Sequence, residues 1–81
     1  MQTIYPKINF NGDSRETLQD MYIENIFAID DAIRKVSSNM PNGRNYNKQE
    51  YREARRQHEQ QVEKLEEARE YMEDILEHLR D

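Results

Sequence analysis

The sequence contains no cysteine, only two glycines and only two prolines. Without cysteine, the chain can form no disulfide, thiolate nucleophile or thiolate metal site, and a reducing compartment is its expected environment. No apolar run approaches the roughly 20 residues of a membrane-spanning helix. Residues 1–10 also lack the apolar centre of a signal peptide. We therefore expect a cytoplasmic protein that makes no contact with a membrane.

Charge, by contrast, is abundant, because 36% of the 81 residues are charged and 35% are hydrophobic. This balance, with few glycines and prolines, predicts one small, helical, well-solvated domain spanning residues 1–81. Seventeen acidic residues outnumber twelve basic ones and give a net charge of −5. That excess argues against nucleic acid and anionic membrane surfaces as partners.

Residues 1–12 have the pattern of an extended arm. Ile4, Ile8 and Phe10 stand at even spacing with Pro6 between them, which is typical of an extended segment or edge strand. A lone arm cannot cover three apolar side chains by itself. We expect the arm to pack on a helix of its own chain or of a neighbouring subunit.

The pattern predicts a first helix over residues 13–39. Asp13 is its expected N-cap, and Glu16 completes a capping box. Apolar residues then recur at steps of three and four, which is helical periodicity. This stripe consists of Leu18, Tyr22, Ile26, Ile29, Ile33, Val36 and Met40.

The same helix carries a second apolar patch. At about 100° per residue, Ile23 and Phe27 point roughly 100–140° away from Tyr22. A patch outside the main stripe indicates a second packing partner, which in a chain this short is another copy. The predicted oligomer interface therefore consists of Ile23 and Phe27 together with the arm residues Ile4, Ile8 and Phe10.

Residues 40–46 form the predicted turn. Pro41 disfavours helical geometry in the residue before it, and Asn42-Gly43 tolerates positive φ. A second helix is predicted over residues 47–80. Asn47 is its expected N-cap, and Tyr46 and Tyr51 are placed to form a hydrophobic staple.

Apolar residues of the second helix repeat every seven positions, which is typical of coiled-coil packing. The two rows are Tyr51, His58, Leu65, Met72 and Leu79, and Ala54, Gln61, Ala68 and Ile75. The short connection requires the helices to fold back on each other. We therefore predict an all-α fold: an antiparallel, coiled-coil-like two-helix hairpin with an N-terminal arm. Since two helices cannot bury their seams from all sides, copies should assemble into a homo-oligomeric bundle, as a dimer or a larger ring.

Basic residues concentrate at the predicted turn. The stretch from Arg34 to Arg56 holds seven basic and two acidic residues, a net charge of +5, so the rest carries −10. The N-terminus of the second helix adds its positive dipole end there. This end is a candidate site for a small anionic ligand, with the contact residues Arg44, Asn45, Tyr46, Lys48 and Arg52.

A simpler interpretation is a solvated basic face. In it, Arg34 and Lys35 complement the dipole of the first helix, and Arg52, Arg55 and Arg56 pair with Glu50, Glu53 and Glu59. Arg44 favours the ligand interpretation, because a turn requires asparagine and glycine but has no local need for arginine. His58 lies on the seam and is expected to be a hydrogen-bonded core histidine, whereas His78 is expected to face solvent. Nothing in the sequence indicates a catalytic nucleophile, a phosphate loop, a metal site or a cofactor, so we expect a non-enzymatic protein.

Two short motifs carry a resemblance. Residues 11–18, beginning Asn11-Gly12-Asp13-Ser14, and Pro41-Asn42-Gly43-Arg44-Asn45-Tyr46 resemble small helical-hairpin proteins of phages and prophages. Those proteins read Asn-Gly-Thr-Ser-Arg-Glu and Pro-Asn-Gly-Arg-Asp-Tyr, so Asp13 and Asn45 are departures that suit the same cap and turn. The resemblance carries no established activity.

In size, hairpin form and basic turn, the chain is also similar to phage sponge proteins. These oligomers hold nucleotide-derived immune signals and so silence bacterial defences. The likeness implies an anti-defence accessory protein that binds such a signal in the cytoplasm of a bacterial host. The alternative is a protein–protein interaction module or inhibitor that acts on a host protein. It would use the acidic residues 63–81 of the second helix or the Ile23/Phe27 patch.

Overall fold

The fold, taken from a computed structural model that describes residues 2–80, consists of two long helices joined by a short connection. Helix α1 spans Arg15–Ser38, a 3-10 turn spans Gly43–Asn45, and helix α2 spans Lys48–Arg80. No β-strand occurs within residues 2–80. The prediction of an all-helical chain with two helices packed against each other is confirmed.

The helices run antiparallel. The His58 side chain contacts the Val36 carbonyl near the turn, and the Arg15 side chain contacts the Leu79 carbonyl at the other end. We call the end at the connection the tip and the other end the open end. The chain measures 59 × 24 × 19 Å, and its radius of gyration is 17.6 Å. A compact chain of this length has a radius of gyration of about 12 Å, so the hairpin is markedly elongated.

The seam between the helices is thin. Within residues 2–80, the buried hydrophobic side chains are Ile26, Ile75, Leu76 and Leu79. Every residue of the predicted α1 stripe is buried or half-buried, and so are the α2 heptad residues except Gln61, which is exposed. Because three of the four buried side chains belong to the last turns of α2, packing is tightest towards the open end.

Side chains of each helix satisfy carbonyl groups at the end of the other. Nε2 of His58 lies 2.6 Å from the carbonyl oxygen of Val36, in the last turn of α1. At the open end, Nη1 of Arg15 and Nε2 of Gln19 donate to the carbonyl oxygen of Leu79 at 2.6 and 3.1 Å. The last carbonyls of a helix have no partner within it, so these bonds supply acceptors at the helix ends with donors from the opposite helix. His58 is half-buried and hydrogen-bonded, as predicted.

The start of α1 differs from the prediction by one cap residue. Ser14, rather than Asp13, is the N-cap, because its Oγ accepts from the backbone N–H of Thr17 at 3.1 Å. The helix therefore begins at Arg15, and it ends at Ser38 rather than residue 39. The predicted cap of α2 is confirmed: Oδ1 of Asn47 accepts from the backbone N–H of Glu50 at 2.8 Å.

The turn does not use the positive φ that Asn42-Gly43 would tolerate: neither Asn42 nor Gly43, nor any other residue within 2–80, has a positive φ. Asn42 instead caps the 3-10 turn with its own side chain, whose Oδ1 accepts from the backbone N–H of Arg44 at 3.0 Å. Its carbonyl also accepts from Asn45 at 3.0 Å. The Asn42 side chain, rather than a residue in the left-handed region, thus stabilises the turn.

The N-terminal arm packs on α2 through a residue that the apolar pattern did not select. The ring of Tyr5 stacks on His78 with centroids 4.4 Å apart, and its hydroxyl donates to Asp74 at 2.7 Å. Ile4 remains 86% exposed and Phe10 is fully exposed. Docking of the arm on a helix is therefore correct, but Tyr5 rather than Ile4 or Phe10 makes the contact. His78 is exposed, as predicted, yet it is stacked rather than free.

We predict that Gly43→Ala leaves stability unchanged or raises it by about 0.4–1 kcal/mol, because the unfolded chain loses freedom and the native φ suits alanine. An added Cβ would meet the Tyr51 ring at 3.7 Å, an ordinary contact. Urea unfolding monitored by circular dichroism measures the change. A loss of more than 1 kcal/mol would mean that the turn requires glycine after all.

We predict that His58→Ala lowers the free energy of unfolding by about 1 kcal/mol, since the part-buried Val36 carbonyl loses the closer of its two donors and keeps only the Asn39 N–H. The matched control is Gln61→Ala, one turn away on the same helix, where the side chain is exposed. Alanine raises helix propensity more over histidine than over glutamine, so a lower urea midpoint for His58→Ala than for Gln61→Ala at equal protein concentration reports the lost contact. Equal midpoints would contradict the role assigned to His58.

Candidate functional site

The tip is built by residues 39–47 and the first turns of α2. The rings of Tyr46 and Tyr51 lie with centroids 6.5 Å apart, which supports the predicted staple. At the end of α1, the Asn39 N–H donates to the carbonyls of Lys35 and Val36, and Val36 also meets His58. The negative end of α1 is therefore largely satisfied by the protein. The positive end of α2 is closed by Asn47 but keeps its first amides, which have no intrahelical acceptor.

Three arginines near the tip are neutralised by carboxylates of their own helix. Arg34 pairs with Asp31, Arg56 with Glu53, and Arg55 with Glu59. The hydrogen bond from Arg56 lowers the pKa of Glu53. For Arg55 and Arg56, pairing with glutamates of the same helix is as the simpler interpretation expected, whereas Arg34 pairs with an aspartate and Arg52 forms no ion pair within residues 2–80.

Four other cations at the tip have no such partner. Within residues 2–80, Lys35, Arg44, Lys48 and Arg52 form no ion pair, and all four are exposed. The 3-10 turn holds Arg44 by its backbone, through the Asn42 side chain, and leaves the guanidinium without an acceptor. The tip therefore presents unneutralised positive charge, which is the requirement for attracting an anion.

The predicted ligand-contacting residues are all exposed: Arg44, Asn45, Tyr46, Lys48 and Arg52. Tyr46 keeps 41% of its surface accessible despite its contact with Tyr51. Neither of the two best-formed grooves within residues 2–80 includes any of the five. The fold brings these residues to one end of the hairpin but does not enclose them in a cavity.

The larger groove lies elsewhere, on one flank of the hairpin, and has a volume of about 520 Å³. We call it the flank groove. Its residues are Ile23, Ile26, Phe27, Glu73, Leu76, Glu77 and Arg80. It thus joins the predicted Ile23/Phe27 patch, where Phe27 is 64% exposed, to the end of α2. The α2 half of this groove was not predicted from the sequence. The one indication is Leu76, an apolar residue that lies next to Ile75 but outside both heptad rows.

Ion pairs reinforce the middle of the hairpin next to this groove. Arg69 bonds to Asp30 across the seam and to Glu73 on its own helix. The hydrogen bond to Asp30, followed by that to Glu73, raises the pKa of Arg69. This cluster fixes the register of α1 against α2 and explains why Asp30 and Arg69 are half-buried.

A second groove, of about 340 Å³, lies where the arm crosses the open end. It is lined by Pro6, Lys7, Ile8, Arg15, His78 and Leu79. The arm beside it is held by the Tyr5 hydroxyl, which donates to Asp74; this bond raises the pKa of Tyr5. No local pattern predicts this contact, because it joins residues 69 positions apart.

In the described part of the chain, no three histidine or carboxylate side chains converge in a way that could hold a metal ion. Neither described helix contains an apolar window long enough to cross a membrane. No protein-family model matches the chain, and neither the curated proteins nor the solved structures provide a match.

Proposed function

We propose that the protein is a non-enzymatic binding protein that assembles as a homo-oligomer and binds a small anionic ligand, derived from a nucleotide, at its tip. The observation that carries this proposal is the set of four exposed tip cations without ion-pair partners: Lys35, Arg44, Lys48 and Arg52. On an acidic protein of net charge −5, such a cluster is a local reversal of charge. The neighbouring Arg34, Arg55 and Arg56 are paired with carboxylates, so the lack of an ion-pair partner is specific to these four side chains.

Each tip residue has a role that suits a phosphorylated ligand. The guanidinium of Arg44 pairs with a phosphate in bidentate fashion, and Lys48 and Arg52 add point charges. Tyr46 offers an accessible ring face for stacking on a base or ribose, and the Asn45 side chain offers amide donors and acceptors. The first amides of α2 add donors aligned with the helix dipole.

Assembly supplies what a single hairpin lacks. The tip of one copy is open surface, and a ligand bound there would stay solvated on most sides. A neighbouring copy would provide the opposite wall and exclude water, which strengthens pairing between arginine and phosphate. This is why we place the ligand at a subunit boundary.

The resemblance to phage hairpin proteins and sponges supports a biological setting. In this proposal the protein acts in the cytoplasm of a bacterial host as an anti-defence factor. It lowers the free concentration of a nucleotide immune signal by holding it. Sequestration requires affinity and stoichiometric amounts rather than catalysis, which agrees with the absence of catalytic motifs from the sequence.

The second candidate is a protein–protein interaction module that acts on a host protein. The flank groove favours it, because an apolar floor with charged edges is the surface into which an amphipathic helix docks. A pull-down from bacterial lysate distinguishes the two functions. A stoichiometric protein partner that is lost with Phe27→Asp, yet retained with Arg44→Ala, would favour this candidate.

We predict that calorimetric titration with cyclic dinucleotides and ADP-ribose-type nucleotides detects binding to the intact oligomer. Arg44→Ala should weaken that binding by about 10- to 100-fold, as expected for a lost hydrogen bond to a charged group. The matched control is Arg34→Ala, which removes the same charge from an arginine already paired with Asp31. The proposal fails if no nucleotide in the panel binds, or if both variants weaken binding equally.

A further inference from the structure

The hairpin exposes more surface than a folded monomer of its mass. Its accessible surface is 6692 Å² for 9.9 kDa. A typical monomer of that mass exposes about 5,200 Å², so about 1,500 Å² is in excess. A standard protein interface covers about 800 Å² on each partner. The excess is therefore about the area that two such interfaces would cover on one copy.

Two uncovered apolar surfaces match that number. One is the flank groove, where Phe27 is 64% exposed beside the half-buried Ile23. The other is the outer face of the arm, where Ile4 and Phe10 are almost completely exposed. Tyr5 is bound to α2, and neighbouring side chains of an extended chain point to opposite faces, so anchoring Tyr5 presents Ile4 outwards.

These surfaces lie on different flanks of α2. The arm is bound at Asp74 and His78, whereas the groove uses residues 73, 76, 77 and 80. At about 100° per residue, the mean directions of the two sets differ by roughly 130° around the helix axis. While Tyr5 stays on Asp74 and His78, the arm cannot fill the groove of its own chain.

We infer that the arm of one copy occupies the flank groove of the next copy. In this contact, Ile4 and Phe10 cover Phe27 and its apolar neighbours. The groove volume of about 520 Å³ is in the size range of sites that enclose a bound group.

Because the two surfaces differ and face different neighbours, the contact is head to tail. Repetition of a head-to-tail contact closes into a ring when the rotation permits. Each copy then uses one flank for each neighbour, so both uncovered apolar surfaces are covered. This inference rests on the homo-oligomer of the proposed function and specifies how its copies meet.

Mixing two full-length variants tests the inference, with particle mass measured by native mass spectrometry and sedimentation. The arm variant is Ile4→Asp/Phe10→Asp, and the groove variant is Phe27→Asp. Each alone should be monomeric, at 9.9 kDa for the chain. A 1:1 mixture should form a heterodimer, because the intact arm of the groove variant fits the intact groove of the arm variant.

Matched controls add the same charges without removing the apolar contacts. Gln2→Asp/Asn11→Asp places two aspartates in the arm, and Ala28→Asp places one next to Phe27 at an exposed position. Both should keep the wild-type mass. Circular dichroism checks folding, and Phe27→Ala, which preserves the helix, should weaken association at least 10-fold if Phe27→Asp does not fold.

The inference is overturned if the arm variant keeps the wild-type mass, since the groove would then pair with itself, or if the mixture stays monomeric. A monomeric wild type would overturn it as well. Nucleotide binding is measured separately. An oligomer that assembles through arm and groove but binds no nucleotide would refute only the proposed ligand.

Discussion

The structure depends on one seam, because two helices that pack only on each other can bury only the face that they share. Four hydrophobic side chains are buried within residues 2–80, three of them in the last turns of α2. The hydrophobic effect contributes in proportion to buried apolar area, so this seam alone is a small source of stability. The elongated shape, the exposed Phe27 and the uncovered arm all follow from that limit.

Polar contacts at the two ends of the hairpin compensate for part of the stability that the thin seam does not supply. His58 and Arg15 each donate to a carbonyl at the end of the opposite helix, and the ion pair between Asp30 and Arg69 joins the helices near the middle. These contacts set the register, while the ends differ in charge: the tip is basic and the open end is acidic. The hairpin thus has two chemically distinct ends and two distinct flanks, which is what directional assembly and a localised ligand site require.

Much of this fold could be predicted from the sequence, since periodicity reports which face of a helix is buried. The stripe through Ile26 and the heptad row through Leu79 were both placed correctly, and so was the N-cap of α2. Two differences from the prediction have local causes: Ser14 competed with Asp13 as a cap, and the Asn42 side chain replaced a left-handed residue. The stack of Tyr5 on His78 and the α2 half of the flank groove arise only when distant segments meet. The tip cations were identified, but only the structure could separate the paired Arg34 from the unpaired Arg44.

Because its seam is thin and much of its apolar surface is uncovered, the hairpin is expected to associate with other copies of itself. Sedimentation equilibrium of the full chain at micromolar concentration tests it most directly. We predict a particle whose mass is a multiple of 9.9 kDa. A stably folded particle with the mass of one chain would contradict the account, because the exposed groove and arm would then need no second copy.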